Sequence, residues 1–218
     1  MKACWLVCFC LALLAPPLRG DTIYQTRADG TEIVLQRDAI VTQQDSSFVV
    51  YKHFDLKELR ITVVRLNRGS LPLRVQISNA ATRAQIVDTW KRFGYRATIT
   101  DQAGKVSQVF DLYLDFYPPG GRGSLLESIA PRTSFPLRTD GGGADEFEFA
   151  KVDRVEIQGD HLRLTLREGQ TVAGKFLMPT SNPAEVRVLG VTEKYDPASP
   201  QVFDFSVPLS QLKSILFE

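Results

Sequence analysis

All three cysteines, Cys4, Cys8 and Cys10, fall within the first ten residues, so the remainder of the chain must fold with no disulfide and no thiolate metal ligand. A domain without such staples is held together by its own hydrophobic core. The cysteines sit inside a second constraint. Lys2 carries an early positive charge, Trp5 to Leu14 is an apolar run, and Pro16 and Pro17 interrupt it before Arg19 and Gly20. This is the layout of a secretory signal. The run is about half of the roughly 20 residues needed to cross a bilayer, which predicts a cleaved signal and no integral membrane span after cleavage. A cut after Gly20 leaves Asp21 first, although Leu18, three residues before that bond, is larger than the small residue favoured there. Neither Cys8 nor Cys10 is preceded by the small residues of a lipid-attachment box.

Removing Lys2 and Arg19 from the 26 basic residues leaves 24 against 25 acidic ones, which argues against a general nucleic-acid binder. The charge is unevenly spread. From Lys52 to Arg96 there are ten basic and three acidic residues, and from Ala97 to Asp160 six basic and eleven acidic. Either the two stretches pair within one fold, or the first is a basic face for an anionic polymer. No Asn-x-Ser/Thr sequon is present, which favours a bacterial envelope over a eukaryotic secretory route.

Strand signals dominate. Short runs rich in β-branched and aromatic residues recur at Thr31 to Leu35, Phe48 to Tyr51, Arg60 to Leu66, Tyr95 to Thr100, Phe110 to Phe116, Glu146 to Phe149, Leu162 to Leu166 and Val202 to Val207, bounded by turns such as Asp29-Gly30 and Glu168-Gly169. In Phe110 to Phe116 apolar residues alternate with Asp111, Tyr113 and Asp115, which predicts one buried and one wet face. One helix is expected from Thr82 to Phe93: Thr82 and Gln85 make a capping box, Ile86, Val87, Trp90 and Phe93 an apolar stripe, and Gly94 a left-handed stop. A second, one-turn helix is expected at Ser124, capped by Glu127. The fold class is therefore mainly β, as tandem small barrel-like modules with one inserted helix. The expected division is a signal over 1–20, β-rich module(s) over 21–158 and a C-terminal small barrel over 159–218. A repeat supports the modules, since apolar residues at Leu212, Ile215 and Phe217 match the spacing of Val152, Val155 and Ile157 and of Leu56, Leu59 and Ile61. Any strand, short turn and strand also produces it.

The last 60 or so residues, with two strands around Glu168-Gly169, a bend at Gly174, a Pro208-started turn and a final strand, resemble the Sm-like class of small five-stranded barrels. That resemblance implies a final strand, Lys213 to Phe217, paired with the strand Leu162 to Leu166 so that the barrel closes. The segment Val75 to Ile99, with its Val-Gln strand start, helix and Gly-Tyr-x-Ala return, is similar in outline to half of the sporulation-related repeat, which implies peptidoglycan binding. The sequence shows no second helix after Pro118 to complete it.

Chemistry-bearing patterns are few. His53 and His161 are the only histidines and neither belongs to an HExxH or Cys/His pattern, so no metal site or cofactor is expected. Gly-x-Ser-x-Gly is absent. Pro118 to Ser124 is glycine-rich and offers Arg122 to an anion, but lacks the Lys of a phosphate loop. Asp140 and Asp145 flank a glycine-rich hairpin loop. Asp111 and Asp115 lie on one strand face with Tyr113 between them, the pattern a glycoside hydrolase would need. The expected function is a non-catalytic, periplasmic or secreted binding or scaffold protein of the bacterial cell envelope. Its partner is a protein or an envelope polymer, and its basic face is Arg60, Arg65, Arg68 and Arg74 with Arg122. The alternatives are a polysaccharide hydrolase using the paired carboxylates, and an anionic-glycan or peptidoglycan binder.

Overall fold

The computed structural model describes residues 20–69, 72–118, 130–179 and 184–218. Residues 1–19 of the expected signal, Arg122 and the short helix at Ser124 lie outside them. Fifteen strands and one α-helix are present among the described residues, and the chain is mainly β as expected. No described helix is long and apolar enough to cross a membrane.

Strands β1 (Asp21–Thr26), β2 (Glu32–Gln44), β3 (Phe48–Asp55), β4 (Arg60–Asn67) and β5 (Leu73–Gln76) form a five-stranded antiparallel sheet in the order β4-β3-β2-β1-β5. One face gathers around its own core of Ile23, Ala39, Val41, Val49, Tyr51 and Leu73. Arg68 stitches the far edges together by donating to the Leu73 carbonyl at 2.7 Å. Asp21 is buried, accepting from the Val41 N–H at 2.7 Å and from the Ser78 N–H and Oγ at 2.8 Å, so it ties the sheet to the start of the helix.

Helix α1 (Ala80–Phe93) begins two residues before the expected start, because Asn79, not Thr82, supplies the cap: its side chain accepts from the Thr82 N–H at 2.9 Å. Ile86, Val87 and Trp90 are buried as expected, whereas Phe93 is 57% exposed and lies beside Phe54. Gly94 is not a left-handed stop, since its φ is −75°. It is required for a different reason. A Cβ there would lie 2.7 Å from the Asp111 Cα, so the helix end and the strand below could not approach.

The second sheet contains β6 (Ala97–Asp101), β7 (Val106–Tyr117), β8 (Ser134–Thr139), β9 (Ala144–Glu148), β10 (Val152–Gln158), β11 (His161–Leu166), β12 (Thr171–Phe176), β13 (Glu185–Val191), β14 (Phe205–Pro208) and β15 (Leu212–Phe217). Its order is β14-β13-β7-β6-β15-β10-β11-β12-β8-β9. It curls as a half-barrel, and Arg132, just ahead of β8, exchanges backbone hydrogen bonds with Leu114 of β7 at 2.7 and 2.8 Å, drawing the two limbs together. Within the curl Phe149 stacks with Phe135 and Phe217 at ring separations of 4.7 and 5.0 Å. Such pairs add about 0.5–1.5 kcal/mol beyond simple burial.

The expected pairing of the last strand is corrected. β15 does not lie beside β11; it sits between β6 and β10, with Ala97 opposite Phe217 and Val155 opposite Ile215. Leu162, Leu164, Ile215 and Phe217 do point into one core, as their alternation implied, but Gly159 is only the turn of the β10–β11 hairpin and strands on both sides of it share one sheet. The reason is that β10 already occupies the edge of β11 that a self-closing barrel would have needed. Two copies of the repeat do share a structure. Phe149–Lys151 and Leu209–Gln211 are single 3₁₀ turns leading into β10 and β15, whose buried residues have identical spacing and which pair antiparallel with each other. The third copy differs, with Leu56 exposed in a turn and Leu59 at a φ of 52°.

Candidate functional site

The face of β7 expected to be wet is buried. Asp111 and Asp115 are 0% and 5% exposed, and Tyr113 lies between them. A bulge makes this possible: pairing with β13 slips from Leu189 opposite Tyr113 to Val191 opposite Phe110, and Asp111 takes a φ of 52°. Phe110 and Asp111 thereby both face the five-stranded sheet, while Val109 and Leu112 join the half-barrel core. Gly190, opposite the bulge, approaches the Phe110 carbonyl so closely that a Cβ would lie 2.6 Å from it.

Both Asp111 carboxyl oxygens are 3.0 Å from the Ile61 N–H, which points outward from the edge strand β4. The carboxyl therefore does what a neighbouring strand would do for that donor. Burial pushes Asp111 up to about 8, against the opposing pull of the Ile61 N–H and the nearby Arg60 guanidinium. Asp115 is also raised by burial, and its Oδ1 accepts from the following N–H, Phe116, at 2.8 Å. Burial and the two carboxylates raise the Tyr113 phenol further. Arg60 stands over the Tyr113 ring, 5.7 Å from its centre. These groups can store a proton between two sheets, but they offer no open face to a sugar.

A second buried polar group lies nearby, on β3. The Lys52 ammonium donates to the Tyr195 hydroxyl and the Ser199 carbonyl, both at 2.7 Å, and to the Gln201 carbonyl at 3.2 Å. It pins the segment between β13 and β14 onto the five-stranded sheet. Burial lowers its pKa to about 8, with Asp196 opposing.

The signs of the two shifts fix an expected pH profile. Asp111 is raised in the folded state, so its contribution is fully present below about 4 and is lost as pH rises through about 8. Lys52 is lowered, so folding is penalised while it is protonated, and stability recovers between about 8 and its ordinary 10.5. Melting temperature should therefore pass through a minimum near pH 8. Asp111→Asn keeps a carbonyl for Ile61 and tolerates the positive φ. It should stabilise the protein by about 1–3 kcal/mol at pH 9 and by little at pH 4, the scale of removing a buried charge without leaving a donor unpaired. Melts that track wild type at both pH values would overturn this assignment.

The arginines expected to form one basic face are dispersed. Arg60 turns into the interface, and Arg68 serves the Leu73 carbonyl. Arg74 forms a two-pronged pair with Glu32 at 2.7 Å and covers Tyr24. Arg65, stacked on Phe48 at 4.3 Å, is exposed like Arg74 but has no acidic partner among the described ion pairs. The basic and acidic stretches meet through Ile61 and Arg60 at Asp111, but their described ion pairs lie elsewhere: Arg74, Lys91 and Arg96 meet Glu32, Glu193 and Glu218, while Glu146, Glu156 and Asp160 meet Arg132, Arg154 and Lys175. His161 lies 3.2 Å from Asp140, and His53 3.0 Å from the Thr62 hydroxyl. No group of three or more metal-ligating side chains occurs among the described residues.

Open grooves of about 430 and 200 Å³ lie beside Phe176 and Leu209 and beside Trp90 of the helix, and two more lie along the edge strand β9. One of about 480 Å³ is lined by Phe147, Ala150, Leu166 and Arg167, and one of about 250 Å³ by Pro136, Leu177 and Met178, and both reach Asp145 and Glu146 of the edge strand β9. Beyond Asp145 the sequence carries no sign of these grooves, because an acidic strand followed by a turn has no local mark of being a sheet edge. Compared with known proteins, the chain matches no family model, no curated protein sequence and no solved structure.

Proposed function

We propose that the protein is a non-catalytic, exported binding or scaffold protein of the bacterial cell envelope. The observation that carries this reading is the burial of Asp111, Tyr113 and Asp115, the one acid pair in the sequence with a catalytic pattern, in contacts that hold two sheets together. The grooves of about 480 and 250 Å³ along the edge strand β9 offer charged and apolar surface to a partner. What supports export is the charged residue Lys2, the short apolar run and the Pro-Pro break ahead of Asp21.

Incubation with purified peptidoglycan sacculi and with envelope extract tests the proposal. The protein should be recovered with a polymer or protein fraction and leave the glycan intact. Release of soluble saccharide fragments, lost in Asp111→Asn or Asp115→Asn, would establish the hydrolase instead.

A further inference from the structure

Strand β9 has β8 on one side and, among the described residues, no strand on the other. Which of its backbone groups face the open side follows from one proline. Pro136 stands opposite Glu146 and has no N–H, so that pair is of the kind that exchanges no ladder bonds, and the Pro136 carbonyl instead accepts from Leu177 at 2.8 Å. The bonds Thr139 N–H to Gly143 and Phe149 N–H to Thr133, both 2.9 Å, have the phase this requires. Asp145 and Phe147 thus bond inward to β8, while the N–H and C=O of Ala144 and Glu146 point outward.

We propose that this edge docks an extended segment of a partner protein in which lysine or arginine alternates with apolar residues, added to the sheet beyond β9. The inference rests on the binding role above and names the partner's chemistry. In an added strand, residues opposite Glu146 and Glu148 share the face of those acids, and residues opposite Asp145 and Phe147 share the face of the larger groove. Cations suit the first face, and an apolar side chain beside Phe147 and Leu166 suits the second. Arg132 and Lys151 already touch Glu146 and Glu148, at 2.9 and 3.6 Å, but exposed pairs of this sort are weak and yield to an incoming cation. A second copy of the chain fits poorly, because antiparallel pairing of β9 with itself sets Glu146 against Glu146, and the neighbouring registers set Glu146 against Glu148 or Asp145 against Asp145. An acidic edge repels such strands and admits basic ones.

The test is fluorescence anisotropy of a labelled Lys-Val-Lys-Val-Lys-Val-Lys peptide with the protein, combined with amide exchange. The peptide should bind and protect the Ala144 and Glu146 amides, and a Glu-Val peptide of the same length should not. Glu146→Pro removes an outward N–H without touching the ladder to β8, and it should weaken binding by about tenfold or more at an unchanged melting temperature. Asp145→Lys with Glu148→Lys should do the same without altering the backbone. No binding of the Lys-Val peptide, equal binding by Glu146→Pro, or protection elsewhere in the protein would overturn the proposal. If sacculus or extract binding persists in that event, the edge is wrong and the binding role stands; glycan cleavage would remove the binding role and leave the peptide result as it is.

Discussion

Deleting β15 by truncation after Gln211 is expected to abolish folding of the entire ten-stranded sheet, not to fray one end of it. β15 is an interior strand, bonded to β6 on one side and β10 on the other, and it supplies Leu212, Ile215 and Phe217 to the main core. Its loss would expose two facing strand edges and remove three buried side chains, each worth about 1.5–3 kcal/mol by burial alone. That sum is comparable to the whole stability of a typical domain. Far-UV circular dichroism and exchange of the β6 amides would check it. A truncated chain that kept protected β6 and β7 amides would show that the N-terminal part of this sheet folds without its last strand.

Trp90→Ala is expected to cost about 3–5 kcal/mol, from lost burial and the cavity left behind. Trp90 is 5% exposed and sits with Ile86 and Val87 among Ile40 and Ile61 of one sheet and Val191 and Tyr195 from the other. Both sheets therefore lose contact with the helix at once. Denaturant melts would measure the cost, and the slope with denaturant should stay that of a single transition. A cost below about 1 kcal/mol, or two separate transitions, would mean that the helix does not join the sheets.

The strands and the helix were legible because each is a local matter, set by β-branched runs, glycine turns and a capped apolar stripe. The repeat was legible for the same reason, since Val152, Val155, Ile157 and Leu212, Ile215, Phe217 have one spacing and become equivalent strands. The partner of β15 was not, because register between distant strands leaves no mark in either one. Alternation in β7 showed correctly that Asp111 and Asp115 share a face, but a polar face is wet only if nothing packs on it, and the edge of β4 does. The hidden clue was a pair of glycines, Gly94 and Gly190, both needed where backbone crowds the bulge. Lys52 carried no clue at all: a single lysine in a strand is ordinarily at the surface, and its three acceptors come from residues 195 to 201. The dispersal of the basic residues was hidden for a related reason, since the count of charges along a chain does not say which are already paired across it.

The strand at the middle of the larger sheet follows both of its neighbours in the chain. Ala97 must wait for Phe217, a partner more than half the chain's length away, before β6 has its second neighbour. The β6–β7 and β10–β11 hairpins are local pairings that can form early, but they are not locked side by side until β15 inserts between β6 and β10. Closure of the larger sheet thus waits on its longest-range pairing, which is expected to be the slow step of folding and the one that leaves strand edges exposed longest.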